Sequence, residues 1–361
     1  MSSLVFILGA GASTQAGAPL MPEFLDVAHD LWRTGKVKDA QAKFDAVFKG
    51  ISELQQVHSK AQLDIQNVES VFASFEMART LNRFSEYSPT DIEILIAATR
   101  VVIVKTIEHT MEFPVEDGRS ILAPRPYARF ATLLRKLSED ATPKQTVSVI
   151  TFNYDLAADY AFHRSGFPVD YGLDKPNDVN EVPLLKLHGS LNWARCMKCN
   201  SVVPWRLHEY FGRYRFDLFP DTRRVLISIG TQLSSFQHCN QAVNAEPVLV
   251  PPTWNKTDYH RELGSVWSRA AKELSEADSI FVMGFSLPPT DSFFSYLYAL
   301  GTVGKVPLKR FWVFNPDRAG EVENRFRNLL GPGAEQRFKY FTDTFEEGIQ
   351  RISEELKVGR V

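Results

Sequence analysis

The chain has 361 residues, 44% hydrophobic and 23% charged, with 20 glycines and 20 prolines. That ordinary globular composition excludes global disorder, collagen-like repeats and a small disulfide-stapled scaffold. Lys and Arg total 41 against 43 Asp and Glu, a formal net charge of -2, which argues against a mainly electrostatic nucleic-acid binder. Length predicts about two domains, or one large domain carrying insertions.

Residues 4–8 form a short apolar run bounded by Gly9, the signature of a buried parallel strand. GAGASTQAGAP follows, and a helical pattern starts at Met21. The sequence strand, Gly-rich turn, helix opens nucleotide-binding α/β domains. From about 22 to 140 the pattern is mostly helical. Phe24, Val27, Ala28 and Leu31 share one face, Val68, Val71, Phe72 and Phe75 share another, and 92–108 reads as a nearly all-apolar buried helix. Residues from about 20 to 145 are thus expected to form a helical insertion packed over the sheet.

Further strands are expected over 147–152, over 182–187 ending at His188-Gly189, over 279–284 and over 309–314. Residues from about 190 to 250 are loop-rich, contain all three cysteines, and end at Pro251-Pro252-Thr253. An amphipathic helix then carries Leu263, Val266, Trp267, Ala270 and Leu274. A C-terminal helix carries Phe345, Ile349, Ile352 and Leu356. Alternating strands and helices predict an α/β fold, a Rossmann-like doubly wound parallel sheet. No internal repeat is present. Three cysteines fit a reducing, cytoplasmic compartment. The N-terminal apolar run is too short for a signal sequence, and 92–104 is interrupted by Glu93 and Arg100, so no membrane association is expected.

In such a sheet, ligands bind beyond the carboxyl ends of the strands. The five expected strands end at Gly9-Ala10-Gly11-Ala12-Ser13, at Asn153 and Asp155, at His188, at Gly284 and Ser286, and at Asn315 and Asp317. All five ends would converge on one crevice. Gly9 and Gly11 permit close backbone approach, and a helix N-terminus after them would supply N–H groups for a pyrophosphate. No Gly-Lys-Ser/Thr follows, so the loop is not a P-loop.

These motifs resemble the sirtuin family. Gly9-Ala-Gly-Ala-Ser13 with Gly17-Ala-Pro19 resembles its cofactor loop, and Asn153-Tyr-Asp155 its Asn-x-Asp motif. Leu187-His188-Gly189 resembles the strand end bearing the catalytic histidine. Gly284-Phe-Ser286 and Phe314-Asn315 resemble the segments that meet the adenosine ribose. The order matches across residues 5 to about 317. More narrowly, LHGSLNW, PPTWNK and GFSLPPTD resemble bacterial sirtuin-like proteins of antiphage defence that hydrolyse NAD⁺. Phe152 stands where deacetylating sirtuins carry Gln. Pro247-Val-Leu-Val-Pro-Pro-Thr253 replaces their Phe-Gly-Glu segment, and Leu20-Met-Pro-Glu-Phe24 replaces their Phe-Arg. These departures argue against peptide deacetylation and leave the NAD⁺ crevice intact.

The resemblance implies a single sirtuin-like NAD-binding domain over 1–361 that splits NAD⁺ into nicotinamide and ADP-ribose. Ala10, Gly11, Ala12, Ser13, Gly284, Ser286 and Asn315 would hold the dinucleotide with Gly9. Asn153 would position water and ribose hydroxyls, and His188, with an ordinary pKa near ~6.5, would act as base or orient the ribose. Asp155 would fix the local network or the nicotinamide pocket. The alternatives are an NAD⁺ or ADP-ribose sensor without turnover, and an NAD-dependent deacylase.

Cys196-Met-Lys-Cys199 and Cys239 lie where sirtuins carry a four-cysteine zinc ribbon. The fourth cysteine is missing, and His238 or His208 would have to replace it. Because His238 adjoins Cys239, a metal-free relic is expected over a zinc site. The length leaves no room for a separate sensor domain. The resemblance therefore implies homo-oligomerisation, or a partner such as a hexameric P-loop ATPase/helicase or a short Argonaute. The helical insertion would be the assembly surface, and direct nucleic-acid binding is not expected of this chain.

Overall fold

Seven strands make one all-parallel sheet: β1 (Ser2–Leu8), β2 (Gln145–Thr151), β3 (Val169–Asp170), β4 (Val182–Lys186), β5 (Ser279–Met283), β6 (Arg310–Phe314) and β7 (Phe338–Phe341). Their order is β7-β6-β5-β1-β2-β4-β3. The structure is a computed structural model and describes residues 2–56, 63–117, 120–140, 144–173, 181–214, 224–250, 263–304 and 306–359. Leu4, Val5, Phe6, Ile7 and Leu8 are all buried, as a central strand covered on both faces requires. β3 and β7 carry too few residues to give a periodic signal, so the sequence pattern does not mark them.

The chain leaves β1 towards β2, β4 and β3 on one side, then returns to β5 on the other and continues to β6 and β7. The winding reverses between β1 and β5, where Leu4 pairs with Ser279 and Leu8 with Met283. A crevice opens at such a reversal, beyond the strands' carboxyl ends. Helix Arg125–Arg135 brings Phe130 onto Phe6, and Phe345 of helix Phe345–Glu355 packs on Phe130. The amphipathic helix expected near 263–274 is Gly264–Glu276, with Val266, Ala270 and Leu274 buried.

The helical region consists of Phe24–Arg33, Gln41–Gln56, Val68–Leu81 and Pro89–Thr110. The last opens on a capping box, Ser88 with Asp91. Its burial brings two ionisable side chains inside, and each has a partner: Lys105 with Asp39, and Glu108 with Thr231. No helix among the described residues is long and apolar enough to cross a membrane.

One expectation is corrected here. No α-helix follows the glycine loop directly; two short 3-10 turns do, Ala10–Ala12 and Thr14–Ala16, and the first α-helix begins at Phe24. The N–H groups of Gly9, Gly11, Ala12 and Ser13 donate to Met283, Gly284, Gly9 and Ala10 carbonyls. Two of these bonds tie the loop to the β5 side and two close it on itself, so these four N–H groups do not form a helix N-terminus for an anion.

Candidate functional site

The loop after β1 and the loop after β5 touch backbone to backbone. A Cβ on Gly9 would lie 2.5 Å from Phe285 Cα, and one on Gly284 would lie 2.2 Å from Ala12 N. Gly284 also has φ +65. Only glycine fits this contact, and the contact sets the floor of a cleft of about 520 Å³. That volume suits a dinucleotide-sized ligand. Ala10, Gly11, Ser13, Asn153, Asp155, His188, Gly284, Ser286 and Asn315 all line it. Gly9 and Ala12 lie behind the lining, where Gly9 offers its carbonyl and Ala12 is buried.

Ser13 is fully buried and its hydroxyl is committed within the protein. It donates to Asp155 Oδ2 at 2.7 Å, and accepts from Asn153 Nδ2 at 3.0 Å. The Tyr127 hydroxyl lies 2.7 Å away. Ser13 has one hydrogen and the carboxylate takes it, so the Tyr127 phenol donates. Burial, reinforced by the Asp155 charge, holds Tyr127 well above the usual phenol range, which keeps it a donor.

Asn153 Nδ2 also donates to Gly9 O at 2.9 Å. Both amide hydrogens are thereby used on atoms inside the wall. Because a carbonyl can only accept, the nitrogen must face Gly9, which leaves Oδ1 as the side chain's remaining polar atom. It is an acceptor site for a hydroxyl or a water, with no donor to spare.

Asp155 accepts from Ala157 N through Oδ1 at 2.9 Å. Burial pushes its carboxyl up, against the Lys186 ammonium and the Ser13 hydroxyl, which pull it down. Lys186 is buried and donates to Asp155 O at 2.6 Å and to Asp159 Oδ2 at 2.8 Å. Tyr171 donates to Asp159 Oδ1. Asp155 is thus the inner end of a buried polar network, and removing one partner from the Lys186–Asp159 pair would cost about 3–5 kcal/mol.

His188 projects from the end of β4. Its ring meets the Phe152 edge with centroids 5.1 Å apart, and Nε2 lies 3.4 Å from Asp291 Oδ1. Phe152 stacks on Phe285 at 4.2 Å, with 6° between the planes. The wall beside His188 is therefore aromatic.

At the other end, Asn315 Oδ1 accepts from Asp317 N in a tight turn, and Asp317 caps helix Glu321–Leu329 through Ala319 N and Val322 N. Asp317 does not line the cleft. Ser286 O accepts from Arg325 Nη1 at 3.0 Å. Besides His188, Arg325 is the one basic side chain among the described lining residues.

Sequence reasoning missed Asp291, Arg325 and the contribution of the helical region. Asn67, Glu69 and Ile107 line the cleft, so that region forms one of its walls. Gly17, with φ +99, fixes the junction, since a Cβ there would lie 2.2 Å from Thr110 O. Asp291 lies within GFSLPPTD, and an acid following a strand-end motif was its available signal.

The cysteines form a second constellation, at the small antiparallel sheet in which Gly189–Arg195 pairs with Val202–Pro204 and Pro247–Leu249. The expectation that His238 cannot join Cys239 is corrected. Strands Gln237–His238 and Gln241–Ala242 form a hairpin whose turn residues, Cys239 and Asn240, have φ +54 and +61. That left-handed turn folds thiol and imidazole to one side. The ligand atoms of Cys196, Cys199, His238 and Cys239 lie within 4.8 Å of one another, with His238 Nδ1 3.3 Å from Cys239 Sγ and 3.7 Å from Cys199 Sγ. A tetrahedral zinc with Zn–S of about 2.3 Å has ligand-to-ligand edges near ~3.7 Å, so the donor set and spacing fit a Cys₃His site. His208 stands apart, beside Glu209. Pro251-Pro252-Thr253 and PPTWNK lie outside the described residues.

Fold and cleft together define a Rossmann-like α/β protein with a cleft at the sheet's switch point. In overall path the chain is similar to solved Sir2 structures. A Sir2 homologue–NAD complex is 15% identical with a TM-score of 0.43, covering 98% of this chain and 89% of that chain. A Sir2 homologue variant bound to ADP-ribose is 16% identical with a TM-score of 0.40, covering 98% and 92%. A Sir2 complex with a p53 peptide and NAD⁺ is 14% identical with a TM-score of 0.37, covering 99% and 94%. No protein-family model matches the chain, and no curated protein matches it.

Proposed function

We propose that the chain is a sirtuin-like NAD⁺ glycohydrolase, producing nicotinamide and ADP-ribose. The observation that carries this reading is that Asn153 and His188 line one cleft at the β1–β5 switch point, together with both glycine loops. The motif order noted in the sequence supports it independently.

The chemistry follows from the leaving group. Nicotinamide departs neutral from a cationic pyridinium, so the ribose anomeric carbon gains oxocarbenium character, as in glycoside cleavage. Asn153 Oδ1 accepts from the attacking water or a ribose hydroxyl and orients it. As the water oxygen bonds to the anomeric carbon, the carbon–nitrogen bond breaks and its electron pair leaves on nicotinamide. His188 takes the proton that the water loses. Asp155 keeps Ser13, and through it Asn153, in place. Arg325, lining the cleft with Ser286 and Asn315, offers a countercharge, and we assign it to the diphosphate.

Phe152, standing where deacetylating sirtuins carry Gln and stacked on Phe285, argues against acyl-lysine deacylation. Three thiols and one imidazole, with ligand atoms within 4.8 Å of one another, support a structural zinc in the small module, distant in role from the reaction. Resemblance of LHGSLNW and GFSLPPTD to antiphage NAD⁺ hydrolases supports a role in NAD⁺ depletion during phage infection, in the cytoplasm. Control would then come from self-association or from a partner subunit such as a hexameric P-loop ATPase/helicase or a short Argonaute.

The test is to incubate the full chain, alone and with the products of neighbouring genes, with NAD⁺ and to follow nicotinamide. Asn153→Ala and His188→Ala should each lower release by on the order of 10²-fold or more while the fold is kept. Tight NAD⁺ binding with no release under any assembly state would replace this reading with a sensor. Unchanged rates in either variant would overturn its assignment.

A further inference from the structure

We propose that Asp291 is a positioning residue for His188. Its carboxylate holds the imidazole in the tautomer that carries the proton on Nε2, which makes Nδ1 the basic nitrogen. The proposal rests on the hydrolytic reading for its consequence, but its geometry stands by itself. Asp291 Oδ1 lies 3.4 Å from His188 Nε2, and both residues are only 6% exposed. Catalytic pairs are often this long before substrate tightens them. A neutral imidazole has one donor and one acceptor nitrogen, and a carboxylate only accepts. The nitrogen facing the carboxylate must therefore bear the hydrogen, and the other becomes the base.

The backbone around Asp291 is built to hold it there. Leu287 adopts φ +50, a left-handed conformation costly for a branched side chain. Pro288 and Pro289 follow, and Asp291 N donates to Pro288 O at 2.9 Å, closing the turn. Pro limits φ and so stiffens the segment. A strained, stiff turn at a cleft is what a fixed carboxylate needs. Phe152 and Tyr154, both on the loop after β2, also pack near the ring, with centroids 5.1 and 6.2 Å away. Two other carboxylates share the cleft, Glu69 from helix Val68–Leu81 and Asp155. Asp155 is held by Ser13 and Ala157. Once Nδ1 takes the water's proton, the imidazolium sits against the Asp291 charge, which stabilises it.

The experiment uses the full chain labelled with ¹⁵N-histidine. Two-bond ¹H–¹⁵N spectra read each ring's tautomer, and His188→Ala identifies the His188 signals among the eight histidines. The wild type should show His188 as Nε2–H without any NAD⁺ present. Asp291→Asn should mix or invert the tautomer, and Asp291→Glu should restore it. Nicotinamide release should fall by on the order of 10²- to 10⁴-fold in kcat for Asp291→Asn, as for triad carboxylates, with KM little changed. Asp291→Glu should recover at least tenfold of that loss. Asp291→Ser serves if the Asn variant does not fold. A His188 tautomer indifferent to residue 291 overturns the proposal, even if the wild type hydrolyses NAD⁺. A tautomer that follows residue 291 in a protein that releases no nicotinamide upholds it, while overturning the hydrolytic reading instead.

Discussion

Ser13 and Asp155, 142 positions apart in the chain, share a hydrogen bond of 2.7 Å at the centre of the cleft wall. The Ser13 hydroxyl satisfies three neighbours at once, and so ties the loop after β1 to the loop after β2. Ser13→Ala would leave Asp155, Tyr127 and Asn153 Nδ2 each short of a partner. Buried groups so stranded cost about 1–3 kcal/mol. Thermal unfolding should show a loss of that order, and nicotinamide release should fall more than tenfold because Asn153 loses its anchor. A variant as active and stable as the parent would show that Asn153 is held by Gly9 alone.

Arg325 predicts a different kinetic pattern. A residue that binds the diphosphate equally in the ground and transition states changes KM and leaves kcat nearly intact. Arg325→Ala should therefore raise KM about 10-fold or more, with Arg325→Lys intermediate. The salt dependence of KM should weaken in the Ala variant, since a charge contact has gone. A loss confined to kcat would move Arg325 out of this role.

The cysteine module predicts about one zinc per chain by elemental analysis, released by a strong chelator. Removal should lower the unfolding temperature, since structural zinc contributes to folding. His238→Ala should weaken zinc retention as strongly as Cys199→Ser. Protein containing no zinc after expression in zinc-supplemented medium would make the cluster an unmetallated set of thiols.

Glu108 gives stability a pH dependence of uncommon sign for a carboxylate. Burial raises its pKa from 4.5 to about 7, against the hydrogen bonds from Thr231. Between those values the folded protein binds the proton and the unfolded chain does not, so its contribution to stability falls as pH rises from ~4.5 through ~7. The full effect is on the order of 3 kcal/mol. Glu108→Gln should remove it: the stability difference between variant and parent should grow from pH 5 to pH 8 in favour of the variant. A difference independent of pH would mean that Glu108 is ionised in the fold throughout.

Much of the cleft was legible in the sequence because a parallel sheet sends every strand's carboxyl end to one side. Asn153, His188, Gly284 and Asn315 could be placed together from strand assignments alone. What the sequence hid depends on backbone turns and on long-range contact. The Gly9 and Gly11 donors go to Met283 and Gly284, distant in sequence, so spacing alone suggests a helix N-terminus where two 3-10 turns occur. His238 was set aside on adjacency to Cys239, because positive φ at Cys239 and Asn240 is invisible to spacing. Asp291 lies beside His188 after a turn in which Leu287 is left-handed, a conformation that spacing does not reveal.

The pairing of β1 with β5 also has a consequence in time. The first strand of the sheet is synthesised early, but the neighbour that completes its side of the cleft begins at Ser279, and Asn315 and Arg325 come later still. Chains fold from the N-terminus as they emerge from the ribosome, and here the nascent protein has no floor to its cleft until Gly284 is in place. A cleft arranged in this way stays incomplete for most of the chain's own synthesis, and a message cut short anywhere before that point yields a chain without its floor.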